Sequence, residues 1–410
     1  MKLLSAFAAL LISLTLSFAQ EKTFQVTVEN PTDVNRESVL ITILKKEINN
    51  VASDFNPDNF SAWIDKTEIA SQFNKHNEPG IYLVLDQLKP REKLNIMIRY
   101  NTSGSAEHHY TKRTQAELSH KTGGTFVNRE YVGGAFKNVN YLRVPAEHKD
   151  HSWFIRYEGP GWESDKVGYR FYLDQRNATD VFGKLTPEMV LQNVGQDGFD
   201  SYHEMQPWGM DVMKVGKSLG LGSIGMLSDN KISRVEFTDS VTCRIIENGD
   251  LYSAIETKYL GWKVGERKID VKSILSIHGG TRLTKQSLTI KGDPDNISTG
   301  IVKDKAATLI SSKGDKSKFG YLATWGNQSL NKDELGLAVF FDPQNYASFT
   351  EDEFSHIVKL KPSKSTLTYY FLAAWVKEPN GIQSEAAFKA YIDTVAKDLA
   401  TPVKVTIKKR

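Results

Sequence analysis

The sequence is organised around one long stretch, Tyr-Glu-Gly-Pro-Gly-Trp-Glu-Ser-Asp-Lys-Val-Gly-Tyr-Arg-Phe-Tyr-Leu-Asp, at residues 157–174. Its Gly-Pro-Gly segment predicts a turn, and residues 167–173 alternate as a β-strand. The alternation places Tyr169 and Phe171 on one face and Arg170 and Tyr172 on the other. An arginine that faces inward needs a partner, which is either a carboxylate of the protein, such as that of Glu158, or a carboxylate of a substrate.

Strand patterns continue on both sides of this stretch. Before it, alternating segments at residues 23–28, 38–43, 81–85 and 93–100 predict a small N-terminal β module over residues 20–104. After it, strand follows strand, with turn signals at the spacing typical of a sandwich. One amphipathic helix is predicted at 384–399 and a last short strand at 403–407. We therefore expect a mainly β protein in which residues 105–410 form a large antiparallel β-sandwich.

Composition excludes several classes of function. The 410 residues carry a net charge of only +3, with Lys and Arg scattered among Asp and Glu, so we expect no nucleic-acid partner. The glycines of residues 220–225 lack the Lys-Ser/Thr ending of a phosphate loop, and no His-Glu-x-x-His motif is present. We predict no cofactor and no metal. The single cysteine, Cys243, excludes an intramolecular disulfide.

The N-terminus has the three parts of a signal peptide. A positive Lys2 precedes an apolar run at residues 3–18, and small residues stand at 17 and 19. Cleavage after Ala19 would leave Gln20 first and deliver the protein to the periplasm. The run is short for a membrane span, so none is expected. A buried N-terminal core helix is the alternative.

A second motif, Asp-Ser-Tyr-His-Glu-Met-Gln-Pro-Trp-Gly-Met-Asp-Val-Met-Lys-Val-Gly, occupies residues 200–216. Aromatic rings beside carboxylates and cations are suited to a sugar, because rings stack on its C–H faces and polar groups bind its hydroxyls. An oligosaccharide is therefore the expected partner. The candidate binding residues are Arg113, Glu158, Trp162, Asp165, Trp208 and Lys214. The alternatives are a core position for each tryptophan and an exposed sheet edge for the strand that carries Arg113.

These two stretches, together with Asn-Ala-Thr-Asp-Val-Phe-Gly at 177–183, resemble the domain-of-unknown-function family numbered 4861. The resemblance covers most of the chain after the signal peptide. It implies secreted proteins of Bacteroidetes that are associated with uronic-acid polysaccharides such as pectin, alginate or ulvan. The fold it implies is a β-sandwich of the galactose-mutarotase type, which several polysaccharide lyases share.

A uronate substrate would be open to β-elimination, in which a base removes the C5 proton and the C4 substituent departs. We expect Tyr202 and His203 to supply the base and the acid, and Arg170 to neutralise the substrate carboxylate. A tyrosine base near neutral pH would need a cationic neighbour. The enzyme would be a lyase if a sugar departs and a dehydratase if water does.

Two other classes stay open. A glycoside hydrolase would use paired carboxylates, with candidates Glu158, Glu163, Asp165, Glu204 and Asp211. A non-catalytic or epimerase-type sugar module would use Trp162 and Trp208 only as stacking platforms. A purely structural alternative also exists for Tyr202 and His203, whose rings could simply brace their loop by hydrogen bonds.

Overall fold

A computed structural model describes residues 21–197, 201–228 and 231–409. The predicted signal peptide, residues 1–19, and its cleavage site before Gln20 lie outside this part of the chain. Nearly all regular structure in the described residues is β. None of the helices described there is both long and apolar enough to cross a membrane.

The elements follow one another along the chain with short connections. The first strands are β1 (Lys22–Glu29), β2 (Arg36–Leu44), β3 (Phe60–Ile64), β4 (Thr67–Ile69), β5 (Ser71–Asn74), β6 (Gly80–Leu88) and β7 (Lys93–Tyr100), with helix α1 (Lys45–Val51) after β2. The next strands are β8 (Thr114–Glu117), β9 (Ser119–Val127), β10 (Glu130–Asn138), β11 (Tyr141–Arg143), β12 (Gly161–Ser164), β13 (Val167–Phe171), β14 (Thr179–Lys184), β15 (Gly209–Asp211), β16 (Gly225–Ser228) and β17 (Lys231–Arg234).

The remaining strands build the larger sheets. They are β18 (Ser240–Asn248), β19 (Tyr252–Val264), β20 (Arg267–His278), β21 (Thr284–Lys291), β22 (Ile297–Val302), β23 (Ala307–Ser312), β24 (Gly320–Gly326), β25 (Leu335–Phe341), β26 (Tyr346–Glu351), β27 (Ser355–Leu360), β28 (Thr366–Trp375) and β29 (Lys404–Lys409). Helix α2 (Glu385–Ala400) lies between β28 and β29.

The N-terminal strands form a sheet of five, in the order β29-β1-β7-β3-β4, and a sheet of three, β2-β6-β5. Alternate residues of β1, namely Phe24, Val26 and Val28, are fully buried in a core of their own, as the period-2 pattern predicts. The last strand of the chain, β29, pairs with β1 and so lies in the N-terminal sheet. The predicted boundary at residue 104 leaves this strand out.

A nine-stranded sheet, ordered β11-β18-β19-β20-β21-β28-β25-β24-β23, forms one layer of the main body. Two five-stranded sheets, β15-β14-β13-β12-β8 and β17-β16-β22-β27-β26, supply residues to the core that it covers. Trp162 and Tyr169 of the first contact Phe371 of the nine-stranded sheet edge-on, at 6.4 and 5.7 Å between ring centres. All strand pairs in these sheets are antiparallel, and the prediction of a mainly β, antiparallel sandwich is confirmed.

Helix α2 covers the other face of the nine-stranded sheet. Ser384 caps its start by accepting a hydrogen bond from the Ala387 amide, and Phe388 and Ile392 are fully buried, with the Phe388 ring 5.2 Å from that of Trp325. The predicted helix at 384–399 is therefore confirmed to within one residue at each end.

Candidate functional site

The outer face of the sheet β15-β14-β13-β12-β8 is charged and yet buried. Alternation in the five strands turns one set of side chains away from the core, and each member of this set is at most 8 % exposed. We call this set the polar face: Gln115, Glu117, Glu163, Arg170, Asp180, Lys184 and Asp211. Charged groups are rarely buried without partners, so such a concentration requires an explanation.

A covering segment, residues 185–197, is pinned to the polar face by hydrogen bonds. Glu163 accepts the amide N–H groups of Val190 and Leu191 at 2.8 and 2.9 Å, while Lys184 donates to its other oxygen at 2.6 Å. Gln192 accepts from the side chain of Gln115 at 2.9 Å. Burial raises the pKa of Glu163, although Lys184 opposes the shift.

Arg170 lies at the centre of the polar face, and both of its terminal nitrogens donate to groups of the protein, while its buried Nε has no hydrogen-bond partner among the described residues. Its Nη2 donates to Asp180 at 2.8 Å and to Asp211 at 2.7 Å, and its Nη1 donates to the Tyr202 hydroxyl at 2.7 Å. Its partners are therefore carboxylates of the protein. These partners correct the expectation that Arg170 binds a substrate carboxylate through a bidentate contact. Glu158 is a more distant neighbour of Arg170, at 3.6 Å.

Two carboxylates around one guanidinium cannot both ionise easily. Burial raises the pKa of Asp211 well above its usual range, and the neighbouring Asp180 raises it further, while Arg170 opposes both effects. Asp211 accordingly keeps its proton to a higher pH than an ordinary aspartate does.

Tyr202 and His203 lie together in a short 3-10 turn, Ser201–His203, at the edge of the polar face. Tyr202 is 1 % exposed, whereas the His203 side chain is 38 % exposed. Their rings stack with centres 4.7 Å apart, and Nε2 of His203 lies 3.6 Å from Asp211. The structure thus brings Tyr202, His203 and Arg170 into one cluster, as the sequence predicts.

Tyr202 has the cationic neighbour that a tyrosine base requires, but its pKa shifts in the other direction. Burial raises the pKa, and Arg170 only partly offsets the increase. The hydroxyl is therefore a neutral phenol at neutral pH.

Glu158 lies beside this cluster in a strained part of the backbone. The φ angles of His151, Trp153, Tyr157 and Glu158 are +58°, +60°, +38° and +71°, in the left-handed region that side chains with a Cβ rarely adopt. Strain of this kind persists only where the surroundings enforce it, and it is common at functional sites.

Arg176 holds this strained segment, and sequence reasoning missed it. It donates to Glu158 at 2.6 Å, lies 2.8 Å from Asp150 and contacts Asp174 at close range. Burial would raise the pKa of Glu158, but Arg170 and Arg176 together lower it below its usual range. With 20 % of its side chain exposed, Arg176 is more accessible than Arg170 at 2 %.

A narrow opening of about 10 Å³, room for about one water molecule, lies beside Glu158. It is lined by Phe136 of the β9–β10 hairpin, by His151, Trp153 and Tyr157, and by Ile155, Glu158 and Gly195. Gly161 underlies Tyr157, since a Cβ there would come within 2.7 Å of the phenol oxygen. Phe136 and Trp153 are half-buried aromatic rings at this opening, and no local pattern in the sequence distinguishes them from core residues.

The two tryptophans chosen from the sequence have different positions. Trp162 is 1 % exposed, stacks on Tyr169 at 5.5 Å and donates to the Thr284 hydroxyl. The prediction that Trp162 stacks on a sugar is wrong, because both strand register and packing place it in the core. Trp208 is half-buried and contacts Phe182 edge-on at 5.8 Å, at the border of the polar face.

Arg113 and Asp165 lie away from the Arg170 cluster and pair with each other at 2.9 Å. Arg113 also lies 3.0 Å from Asp86 of β6, so this pair joins the main body to the N-terminal sheets. These contacts give Arg113 and Asp165 a structural role, and their role in substrate binding stays a prediction. Lys214 is exposed on the surface after β15.

One group in the described residues has the composition of a metal site. Asp150, His151 and Glu158 place ligand atoms within 4.8 Å of one another. Arg176 donates to Glu158 and lies against Asp150, so a cation would meet its positive charge. These residues fit an ion-pair cluster better than a metal centre, and the absence of metal and cofactor stays a prediction.

Comparison with known proteins gives one specific match and several distant ones. No curated protein matches the sequence. Among solved structures, a protein in glycosyl hydrolase family 38 from Enterococcus faecalis is 8 % identical, with 95 % of this chain and 48 % of that chain covered and a TM-score of 0.48. An alpha-mannosidase from Enterococcus faecalis V583 is 9 % identical, with 95 % and 46 % covered and the same TM-score of 0.48. This chain spans about half the length of those two proteins.

The family comparison agrees with the central motifs. The model of the family described as Domain of unknown function (DUF4861) matches residues 28–405, which include every strand of the polar face. The chain therefore belongs to the DUF4861 family.

Proposed function

We propose that this protein is a carbohydrate-active enzyme that acts on uronate-containing oligosaccharides by β-elimination and leaves a 4,5-unsaturated uronyl end. The supporting observation is the arrangement of three groups: Arg170 donates to the Tyr202 hydroxyl at 2.7 Å, and the exposed ring of His203 stacks on Tyr202. Acid–base chemistry at neighbouring carbons needs two proton-transfer groups side by side, and this arrangement supplies them.

The exposure and protonation of the two rings suggest a role for each. His203 is the accessible member, so it is the group that takes the C5 proton. Tyr202 carries its proton and donates it to the C4 oxygen as the C4–O bond breaks, and Arg170 stabilises the tyrosinate that results. Because Tyr202 is buried, the substrate has to open the contact between the two stacked rings.

The group that meets the substrate carboxylate differs from the one the sequence suggested. Both arginines are paired with protein carboxylates, but Arg170 is 2 % exposed and Arg176 is 20 % exposed, so only Arg176 can exchange one of its contacts for a substrate carboxylate without leaving the interior. We assign carboxylate neutralisation to Arg176, whose planar fork is suited to a bidentate contact. Phe136 and Trp153 at the opening beside Glu158 offer ring faces to the sugar.

The test is a spectroscopic assay on uronate-terminated oligosaccharides of the pectin, alginate and ulvan types. Elimination creates a C4–C5 double bond conjugated with the carboxylate, so ultraviolet absorbance should rise with time. The absorbance should not rise with the neutral oligosaccharide of equal length. Absence of new absorbance with all three uronate types would contradict the proposal.

A glycoside hydrolase is the second candidate. Asp211 and Glu158 both approach Arg170, at 2.7 and 3.6 Å, yet the pKa of Asp211 is raised and that of Glu158 is lowered. Paired carboxylates with opposite protonation are the acid and the base of many glycosidases. New reducing ends without new absorbance in the same assay would favour this reaction.

We also propose that the protein is exported to the periplasm. Sequencing of the mature N-terminus should find Gln20, and retention of Met1 would contradict the proposal.

A further inference from the structure

A second cleft lies beside the strained segment and shares Asp174 with the site described above. It has a volume of about 730 Å³, within the range of small-molecule binding sites, and it opens at the edge of the nine-stranded sheet. One wall is β11 with residues 144–149, the second is the β13–β14 connection, and the third is residues 235–241.

The floor of this cleft is built from buried polar groups. His148, Asp174 and Asn177 are each 5 % exposed. His148 lies 3.3 Å from the carbonyl oxygen of Glu158, and Asp174 contacts Arg176, which holds the Glu158 carboxylate. The cleft and the opening at Glu158 therefore lie on two sides of one hydrogen-bonded cluster.

Phe237 gives the cleft an open aromatic face. At 65 % exposure it is the most exposed of the large hydrophobic side chains in the described residues. Its backbone is fixed, because the Phe237 carbonyl accepts from the Lys263 amide at 2.8 Å. An aromatic ring held open to solvent beside polar groups is suited to the C–H face of a sugar.

Five charged side chains line the cleft: Arg143, Lys149, Asp174, Glu236 and Asp239. Asp174 is held by Arg176, and Asp239 is held by Lys268 at 2.8 Å. Arg143 and Lys149 are exposed at the rim and form no ion pair with a carboxylate among the described residues, while Glu236 is the remaining acidic group. Among the described residues, the lining charges that no ion pair engages are therefore those of Arg143, Lys149 and Glu236.

We propose that this cleft is a second saccharide-binding site, in which Phe237 stacks on a sugar ring and Arg143 and Lys149 bind the carboxylate of an acidic unit. The proposal names a further contact surface for the acidic oligosaccharide and in this respect rests on the proposed function. A chain bound there would lie next to the Glu158 cluster, so the site would retain a polymer close to the reacting end.

The test measures binding of galacturonate, mannuronate and glucuronate-rhamnose tetrasaccharides by titration calorimetry, with a neutral glucose tetrasaccharide as the comparison. Phe237→Ala should weaken binding of the acidic probe about tenfold, the size expected when a stacking ring is lost. Arg143→Gln and Lys149→Gln should each weaken it about threefold and reduce its sensitivity to salt. Leu309→Ala, at an exposed apolar site on β23, and Lys316→Gln, at an exposed lysine, are the matched controls and should leave binding unchanged.

Three results would overturn the proposal: no binding of any acidic probe, equal binding by the Phe237→Ala variant and the unchanged protein, or equal affinity for the neutral tetrasaccharide. Failure of this site and failure of the proposed reaction are separable, because the absorbance assay reports only elimination. Absorbance without an effect of Phe237→Ala on binding would reject the second site alone. Binding that depends on Phe237, without absorbance, would reject the reaction alone.

Discussion

The two faces of the sheet β15-β14-β13-β12-β8 are equally buried but are stabilised in different ways. The inner face carries Trp162, Tyr169 and Phe171, which pack against the nine-stranded sheet and are stabilised by removal of apolar area from water. The outer face carries charges whose desolvation is unfavourable and which persist only because each is paired. A fold needs the first arrangement but not the second, so the polar face is where a selected chemical role is expected.

The largest expected effect is on the inner face. Trp162→Ala should reduce the free energy of unfolding by about 3–5 kcal/mol, because a large cavity opens in the core. Chemical denaturation measures this loss, and Trp63→Ala is the matched control, since Trp63 is only half-buried. A stable Trp162→Ala variant with weakened saccharide binding would instead support the stacking role that the sequence suggested.

The next effect tests whether pairing stabilises the outer face. Lys184→Met leaves the fully buried Glu163 without its cation and should reduce the free energy of unfolding by about 3 kcal/mol. The double variant Lys184→Met/Glu163→Gln should recover part of this loss, because no unpaired charge remains and an amide oxygen can still accept from Val190 or Leu191. Additive losses from the two single substitutions would show that the pair is not coupled.

The third prediction separates activity from stability on the outer face. His203→Ala should lower turnover on the order of a hundredfold, equivalent to about 2.7 kcal/mol, because the accessible proton acceptor is lost. The free energy of unfolding should change by no more than about 0.5 kcal/mol, since the ring is exposed. Met205→Ala, at an exposed apolar side chain two residues after His203, is the control for unspecific effects on turnover. Unchanged turnover in His203→Ala would leave the ring with a bracing role only.

The smallest effect concerns pH. The folded-state pKa of Glu158 is lowered, so its contribution to stability is complete above the unfolded-state pKa of about 4.3 and is lost as the pH falls through the folded-state value. We expect Glu158→Gln to remove about 1 kcal/mol of the stability difference between neutral and acidic pH. Asp211 affects the pH dependence of stability in the opposite direction. Its raised folded-state pKa stabilises the folded protein at low pH, and this stabilisation is lost as the pH rises. Chemical denaturation of the unchanged protein and of the Glu158→Gln variant at several pH values tests this expectation. The same dependence of the unfolding free energy on pH in the two proteins would contradict it.

The alternation of apolar and polar residues was sufficient to predict the mainly β fold class and the two faces of the central strands. It placed Arg170 and Tyr172 opposite Tyr169 and Phe171, and the structure has the same division. The structure also stacks the rings of Tyr202 and His203, which are neighbours in the chain, and their roles in catalysis stay a prediction.

The features that the sequence did not predict correctly depend mostly on contacts between residues that are distant in the chain. A tryptophan beside glycines and carboxylates has the same local pattern whether it faces a sugar or a core, and only the pairing of Trp162 with Tyr169 across two strands decides the case. Arg113 is engaged by Asp86 and Asp165, and Arg176 by Asp150 and Glu158, through folding that no local pattern specifies. Helix α1 was missed as well, since its seven residues are too short to show a clear period.

The pairing of β1 with β29 has a consequence for biogenesis. Phe24 pairs with Lys409, so the N-terminal sheet cannot be completed until residue 409 has been synthesised. Until then one edge of β1 presents unpaired amide and carbonyl groups, the type of edge to which other chains add strands. Holdase chaperones that protect such edges should therefore matter more for the yield of this protein than for that of a sheet closed by neighbouring strands.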